Sequence, residues 1–216
     1  MKRLIIYDLD GTLVDTREDI ALSANHMLKE MSHPLLPHST IARSVGRGLH
    51  HLIASCLGTS EIKQIEKGAK IYRQYYAEHM LDHTVLYPGA KEILDYFKGR
   101  LQAVITNKPN PFTYEILKAL GVSDYFVEIV AGDSDYPKKP DPSAVFSIMK
   151  KEKVAAGETL FVGDSLVDIQ TARNAGVATV VITHGFEDED ALKSAQPDAI
   201  FNGFKELLEW IKRKNW

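Results

Sequence analysis

The sequence predicts an α/β fold, in which a Rossmann-like parallel sheet core carries helices on both faces and an inserted all-helical cap domain. Three observations lead to this prediction. Short apolar runs alternate with amphipathic segments over most of the chain, one long region contains helical patterns only, and 216 residues are enough for a core with an insert. The composition, 44% hydrophobic and 25% charged, excludes a disordered chain.

Six runs rich in β-branched and aromatic residues are predicted to be strands. They cover residues 4–7, 102–106, 126–132, 159–163, 178–183 and 198–201. Segments with apolar residues at i, i+3 and i+4 spacing lie between the later runs and predict amphipathic helices. This alternation is typical of right-handed βαβ units, and therefore of a parallel sheet covered on both faces.

The region after the first strand contains helical patterns only. A first helix is predicted from Thr16, with Asp19 as its capping-box partner, and further helices are predicted over residues 39–45 and 49–57 and from a Ser60 cap to about residue 80. The first helix has an apolar stripe of Ile20, Ala24, Met27, Leu28 and Met31, and the last has one of Ile62, Ile65, Ala69, Tyr72 and Tyr76. We therefore expect residues 1–15 and 82–216 to form the core and residues 16–81 to form the cap.

Charge and targeting signals narrow the classes of partner. The 26 Lys and Arg against 29 Asp and Glu leave a net charge of −3, which argues against a nucleic-acid partner. Lys2 and Arg3 precede an apolar run that Asp8 ends too early for a signal peptide, and no stretch approaches a spanning helix. The single cysteine, Cys56, fits a reducing compartment. We expect a cytoplasmic monomer or homodimer with neither a nucleic-acid nor a membrane partner.

Four aspartates follow two of the predicted strands. Asp8 and Asp10 come directly after the first strand, and Asp164 and Asp168 end the fourth. Ligands of open parallel sheets bind at the carboxyl ends of the strands, so these side chains should converge. Two unit charges 4 Å apart repel by about 4 kcal/mol at an effective dielectric constant near 20, and a divalent cation would compensate for this. Oxygen ligands without His or Cys select a hard ion, and we expect Mg²⁺.

Four segments in order resemble the motifs of the haloacid dehalogenase superfamily. They are DLDGTLVDT at residues 8–16, TN at 106–107, KKPDP at 138–142 and GDSLVD at 163–168. The resemblance covers essentially the whole chain, including a helical cap between the first two motifs. The second carboxylate, Asp10, is similar to that of phosphatases and phosphomutases, whereas dehalogenase and phosphonatase members lack it.

The resemblance implies a reaction and its catalytic residues. Asp8 would be the nucleophile that forms an aspartyl-phosphate, and Asp10 would protonate the leaving alkoxide and then deprotonate the attacking water. Thr106 would hydrogen-bond the phosphoryl oxygens, and Lys139 would neutralise charge on the nucleophile and the phosphate. Lys139 is chosen over Lys138 because it matches the superfamily pattern KPxP.

The resemblance also implies a metal site. The Asp8 carboxylate, the Asp10 backbone carbonyl and Asp164 would hold Mg²⁺, while Asp168 would orient the metal waters or Lys139. Taken alone, Asp168 fits equally well as a residue that caps a helix.

Three further residues are expected to contact the substrate. The backbone amide of Asn107 would bind the phosphoryl group, and Gly11 would let the backbone approach it. The loop at residues 43–48, together with TNKP at 106–109, is similar to that of phosphoglycolate phosphatases, so Arg47 would pair with a substrate carboxylate. An exposed arginine without a ligand is the alternative for Arg47.

These observations predict a Mg²⁺-dependent phosphatase acting on a small phosphorylated metabolite, with 2-phosphoglycolate as the leading substrate. The alternatives on the same scaffold are a hexose phosphomutase similar to β-phosphoglucomutase, and a pyrophosphatase or nucleotidase. A phospho-accepting receiver is the alternative from another class. It is disfavoured because a receiver carries its acceptor after the third strand and has no helical cap.

Overall fold

The structure is a computed structural model that describes residues 1–214. In chain order its helices and strands are β1 (Leu4–Tyr7), β2 (Val14–Asp15), α1 (Arg17–Glu30), α2 (His38–Ala42), α3 (Leu49–Leu57), α4 (Ile62–His79), β3 (Val85–Leu86), α5 (Ala90–Tyr96), β4 (Leu101–Ile105), α6 (Phe112–Ala119), β5 (Glu128–Val130), α7 (Ser143–Glu152), β6 (Thr159–Gly163), α8 (Leu166–Ala175), β7 (Ala178–Ile182), α9 (Glu189–Ser194), β8 (Ala199–Phe201) and α10 (Phe204–Lys214). No helix within residues 1–214 combines the length and the apolar character that crossing a membrane requires.

Six strands form one sheet in the order β5-β4-β1-β6-β7-β8, and every neighbouring pair is parallel. Strand β1 lies at the centre, where Tyr7 pairs with Val104 of β4 on one side and with Val162 of β6 on the other. Because the strand order changes direction beside β1, the loops after β1, β4 and β6 diverge and leave a crevice at the carboxyl edge of the sheet. The predicted parallel sheet is confirmed, with strand ends that differ by up to two residues.

Both faces of the sheet are covered by helices. Within β1, Ile5 and Tyr7 point into a core formed with α5, α6 and α10, whereas Leu4 and Ile6 point into a core formed with α7 and α8. All four side chains are fully buried. A strand in this position reads as a continuous apolar run without alternation, which is why the sequence revealed it.

Helices α1 to α4 pack on one another, with α1 in contact with α2, α3 and α4. The apolar stripe predicted for α1 is buried from Ile20 to Leu28, and Met31 is partly buried. Tyr72 and Tyr76 of α4 are buried as predicted. The division of the chain into two domains at residues 15 and 82 stays a prediction.

A short antiparallel ribbon, which pairs the two ends of this helical segment, was not predicted. Val14 of β2 pairs with Leu86 of β3, and Asp15 pairs with Val85. Strands of two residues are too short to show a period-2 pattern, so sequence reasoning had no signal for them. The ribbon joins the chain entering the helices to the chain leaving them.

Two predicted helix caps are wrong. Thr16 lies at the N-terminus of α1 but makes no capping bond, because its hydroxyl donates to Asp10 Oδ1 at 2.7 Å instead. Helix α4 begins at Ile62 with Glu61, not Ser60, at its N-cap. Ile62 is 74% exposed and does not belong to the buried stripe.

Asp19 connects α1 to the chain that leaves the helices. Its carboxylate is fully buried and accepts the backbone N–H groups of His83 and Thr84 at 2.9–3.1 Å and the Thr84 hydroxyl at 2.7 Å. The Nδ1 atom of His83 lies 2.8 Å from the same carboxylate. The side chain that was expected to cap α1 therefore holds a segment more than sixty residues away.

We expect Asp19→Ala to lower the free energy of unfolding by about 3 kcal/mol, because it leaves buried N–H and O–H donors without an acceptor. Urea denaturation followed by circular dichroism measures this loss. The matched control is Glu18→Ala, at a half-exposed neighbour whose surface contact with His38 contributes about 1 kcal/mol or less. Equal stability of the two variants would contradict the interpretation of Asp19.

Candidate active site

The loops that follow β1, β4 and β6, together with the loop before α7, meet at the carboxyl edge of the sheet. They bring together the predicted residues Asp8, Asp10, Gly11, Thr106, Asn107, Lys139, Asp164 and Asp168. A cleft of about 520 Å³, partly open to solvent, lies between these loops and helices α1, α3 and α4. A second cleft of about 300 Å³ lies beside Asp8, Asp10, Asp164 and the loop at residues 42–46.

Three buried carboxylates form the centre of the site. Ligand oxygens of Asp8, Asp164 and Asp168 lie within 4.8 Å of one another. Burial raises the pKa of Asp8 to about 7, against the lowering effect of Lys139. Burial, together with the carboxylates of Asp168 and Asp8, raises the pKa of Asp164 well above its ordinary value. Burial of three carboxylates so close together disfavours their charged forms unless a cation compensates them.

Lys139 is the cation inside this cluster. Its Nζ lies 2.8 Å from Asp8 Oδ1 and 2.6 Å from Asp168 Oδ1. Burial lowers the pKa of Lys139, but the carboxylates of Asp168 and Asp8 outweigh this effect and raise the pKa above its ordinary value. The ammonium group therefore keeps its proton. Lys138, in contrast, is exposed, in agreement with the choice of Lys139 from the motif.

Asp168 performs both roles that the sequence allowed. Its Oδ2 accepts the Ser165 hydroxyl at 2.7 Å and the backbone N–H groups of Ser165 and Asp164 at 3.1 and 3.2 Å, which caps α8. Its Oδ1 accepts from Lys139. Since both oxygens are engaged, Asp168 positions Lys139 and is less available as a metal ligand than Asp8 or Asp164.

Gly11 lies against the carboxylate of Asp164. A Cβ atom at this position would lie 2.3 Å from Asp164 Oδ2, and the backbone has φ = +83°. The carboxylate of Asp164 is held there by the Thr12 hydroxyl at 2.7 Å and the Phe186 N–H at 3.0 Å. Gly11 thus makes room for Asp164, and its contact with a phosphoryl group stays a prediction.

Asp10 lies at the edge of the larger cleft with its carboxylate held by two residues. Thr16 donates to Oδ1 at 2.7 Å, and Lys108 Nζ lies 3.0 Å from Oδ1 and 3.3 Å from Oδ2. Thr16 begins the helical segment and Lys108 follows β4, so the orientation of Asp10 depends on both parts of the chain.

Lys108 is the residue of the site that sequence reasoning missed. It is buried, its Nζ donates to the Tyr76 hydroxyl at 2.7 Å, and it lies 4.6 Å from the centre of the Tyr76 ring. The segment TNKP contained the only available signal, a lysine two positions after Thr106 at a strand end. Because the sequence does not show that Asp10 and Tyr76 lie beside it, this lysine cannot be distinguished from a solvent-exposed one.

Asn107 contributes through its side chain. Its Nδ2 donates to the carbonyl groups of Gly46 at 2.8 Å and Lys139 at 3.0 Å, and its Oδ1 accepts the Lys139 N–H at 2.9 Å. Asn107 therefore fixes the loop that carries Lys139 and contacts the loop between α2 and α3. Its predicted phosphoryl contact, through the backbone amide, is not tested by these bonds.

Arg47 is not brought to the site. It is exposed and lines neither cleft, whereas its neighbours Gly46 and Gly48 line the larger one and Arg43 lines the smaller one. The predicted pairing of Arg47 with a substrate stays a prediction.

The donor set fits a hard divalent cation. Apart from the ion pair with Lys139, Asp8 Oδ1 is buried without a hydrogen-bond donor. The three carboxylates of the cluster share one ammonium group, that of Lys139, and all available ligand atoms are oxygens. The buried acidic cluster could therefore hold a metal ion through Asp8 and Asp164.

Comparison with known proteins identifies the family of this chain. A family model described as haloacid dehalogenase-like hydrolase matches residues 5–182. A phosphoglycolate phosphatase of Vibrio parahaemolyticus is 36% identical over 220 residues, covering 97% of this chain and 96% of the relative. One from Pasteurella multocida is 35% identical over 216 residues, covering 95% and 96%.

A solved structure shows the same fold over nearly the whole chain. It is described as a predicted phosphoglycolate phosphatase from Haemophilus somnus, with 32% identity, a TM-score of 0.91 and coverage of 96% of this chain and 97% of that one. The protein therefore belongs to the haloacid dehalogenase-like hydrolase family. The predicted resemblance to phosphatases of this superfamily, and the class of phosphoric monoester hydrolase, are confirmed.

We expect Gly11→Ala to destabilise the protein by about 2 kcal/mol or more and to weaken Mg²⁺ binding at least about tenfold, because the new Cβ displaces Asp164. Thermal unfolding and isothermal titration calorimetry measure the two effects. Gly99→Ala, where a Cβ meets no atom within 4 Å, is the control. Unchanged Mg²⁺ affinity in Gly11→Ala would show that Asp164 does not hold the ion.

Proposed function

We propose that the protein is a Mg²⁺-dependent phosphatase that hydrolyses 2-phosphoglycolate through an aspartyl-phosphate. The observation that supports this proposal is the position of Asp8, a buried carboxylate that lines both clefts and whose Oδ1 contacts the ammonium of Lys139 and no other donor. The names of the relatives from Vibrio parahaemolyticus and Pasteurella multocida support the choice of substrate.

In the proposed first step, a carboxylate oxygen of Asp8 attacks phosphorus and the bond to the ester oxygen breaks. Asp10 lines the same cleft and gives its proton to the departing alkoxide of glycolate. Lys139 remains charged beside Asp8 and compensates the negative charge that the phosphoryl group brings. Thr106, which is buried and lines the larger cleft, is placed to donate its hydroxyl to a phosphoryl oxygen.

In the proposed second step, Asp10 takes a proton from water, which attacks the phosphorus of the aspartyl-phosphate. The bond to Asp8 breaks, and inorganic phosphate leaves. Asp8, Asp164 and the Asp10 carbonyl would hold Mg²⁺, which would supply Lewis-acid stabilisation of the phosphoryl charge. Thr16 and Lys108 keep the Asp10 carboxylate in one orientation for both proton transfers.

We also propose the cellular setting of this activity. A net charge of −3 and a small cleft favour a small phosphorylated metabolite over a nucleic acid as the partner. A chain with one cysteine, Cys56, which is buried, is compatible with the cytoplasm. We propose a monomer or homodimer.

Asp8→Asn is expected to lower kcat at least about 10³-fold while the protein stays folded, because the amide cannot form the phosphoryl intermediate. Phosphate release and circular dichroism measure activity and folding. Asp190→Asn, at a carboxylate 93% exposed, is the control and should retain activity. A fully active Asp8→Asn protein would exclude Asp8 as the nucleophile.

Chelation with EDTA is expected to abolish turnover, and added Mg²⁺ to restore it. The same assay, run on 2-phosphoglycolate, hexose phosphates, pyrophosphate and nucleotides, tests the substrate. We expect the highest kcat/KM for 2-phosphoglycolate. Conversion of a hexose 1-phosphate to its 6-phosphate without phosphate release would instead identify a phosphomutase. The highest kcat/KM on pyrophosphate or nucleotides would overturn the proposed substrate but not the proposed mechanism.

A further inference from the structure

Lys108 is the one cation among the residues that line the larger cleft in the described part of the chain. The carboxylates of Asp8 and Asp10 lie at one end of this cleft. Its other walls include apolar and aromatic side chains, namely Ile20, Val45, Leu49, Leu52, Tyr72 and Phe112. Among these lining residues an anionic group finds no other positive side chain, and an unpaired anion among apolar walls is costly.

The hydrogen-bond inventory of Lys108 leaves a donor for a ligand. An ammonium group has three N–H donors. One donates to the Tyr76 hydroxyl oxygen at 2.7 Å, and the remaining contacts are to Asp10, at 3.0 Å to Oδ1 and 3.3 Å to Oδ2. The longer contact with Asp10 Oδ2 can be exchanged for a ligand oxygen, and the O–H of Tyr76 has no acceptor among residues 1–214. Two neighbouring donors match the two oxygens of a carboxylate.

The proposed reaction places the carboxylate of 2-phosphoglycolate near Lys108. The ester oxygen of the substrate must reach Asp10, because Asp10 gives it a proton. In 2-phosphoglycolate only one methylene group separates this oxygen from the carboxylate. The ammonium of Lys108 lies 3.0 Å from Asp10 Oδ1. When the ester oxygen contacts Asp10, the substrate carboxylate, one methylene group away, therefore lies beside Lys108.

We propose that Lys108 and Tyr76 bind the carboxylate of a 2-phospho carboxylate and so determine the specificity of the enzyme. This inference rests on the proposed phosphatase function and names the residues that select its substrate. Lys108 follows β4 and Tyr76 lies on α4, so a bound carboxylate joins the sheet to the helical segment. Arg47, which lines neither cleft, is not needed for this recognition.

The test compares two substrates of similar size, 2-phosphoglycolate and ethyl phosphate, which lacks the carboxylate. Lys108→Met removes the charge but also frees Asp10, so activity on both substrates is expected to fall. The informative quantity is the ratio of kcat/KM for 2-phosphoglycolate to that for ethyl phosphate. We expect this ratio to fall at least about 30-fold in Lys108→Met, mainly through KM for 2-phosphoglycolate, and to recover partly in Lys108→Arg.

Tyr76→Phe provides a second variant that keeps the buried ring and removes only the hydroxyl. We expect it to lower the same ratio about three- to tenfold. Lys118→Met, at an exposed lysine of α6, is the matched control and should leave the ratio within about twofold of the original protein.

Three results separate this inference from the proposed function. An equal fall on both substrates in Lys108→Met and Tyr76→Phe would overturn the inference and show that Lys108 acts only through Asp10. Equal kcat/KM for the two substrates in the unmodified protein would also overturn it, while leaving a phosphatase. Failure of the unmodified protein to hydrolyse any phosphomonoester would overturn the proposed function itself.

Discussion

The burial of negative charge at the carboxyl edge of the sheet is the constraint on which the site depends. Asp8, Asp164 and Asp168 bring their oxygens within 4.8 Å of one another and away from water. Lys139 offsets part of this charge by contacting Asp8 and Asp168 together. Removal of one partner from a buried ion pair typically costs about 3–5 kcal/mol, so Lys139 must be held in position beside both carboxylates. The side chain of Asn107 meets this need by bonding both backbone groups of Lys139.

A second group of contacts makes the helical segment part of the site. Thr16 at the start of α1 and Tyr76 on α4 reach Asp10, the first directly and the second through Lys108. The carbonyl of Gly46, in the loop between α2 and α3, accepts from Asn107. The helices predicted as an insert therefore help to orient Asp10, the proposed acid–base residue, and line the cleft beside it.

Most of the fold could be predicted because its signals are local. The strands at residues 4–7 and 159–163 were predicted with their observed ends, since side chains buried on both faces produce an unbroken apolar run. The strand at 126–132 was predicted too long, because it lies at the edge of the sheet, where apolar residues continue beyond the paired segment. The capping bond predicted for Thr16 is absent because its hydroxyl donates to a tertiary partner, Asp10, and the cap predicted at Ser60 is wrong because α4 begins with Glu61 at its N-cap.

By itself, the sequence determined the parallel sheet, the helical segment and the set of aspartates and lysine at the strand ends, because periodicity and strand order place those residues at one edge. Only the tertiary structure decided how they interact. It placed Lys108 between Asp10 and Tyr76 and Arg47 outside both clefts. It also placed Gly11 so close to Asp164 that a side chain at position 11 would clash with the Asp164 carboxylate. The reason is physical: residues far apart in the chain acquire partners only when packing brings their atoms within a few ångströms, and a sequence pattern does not contain that distance.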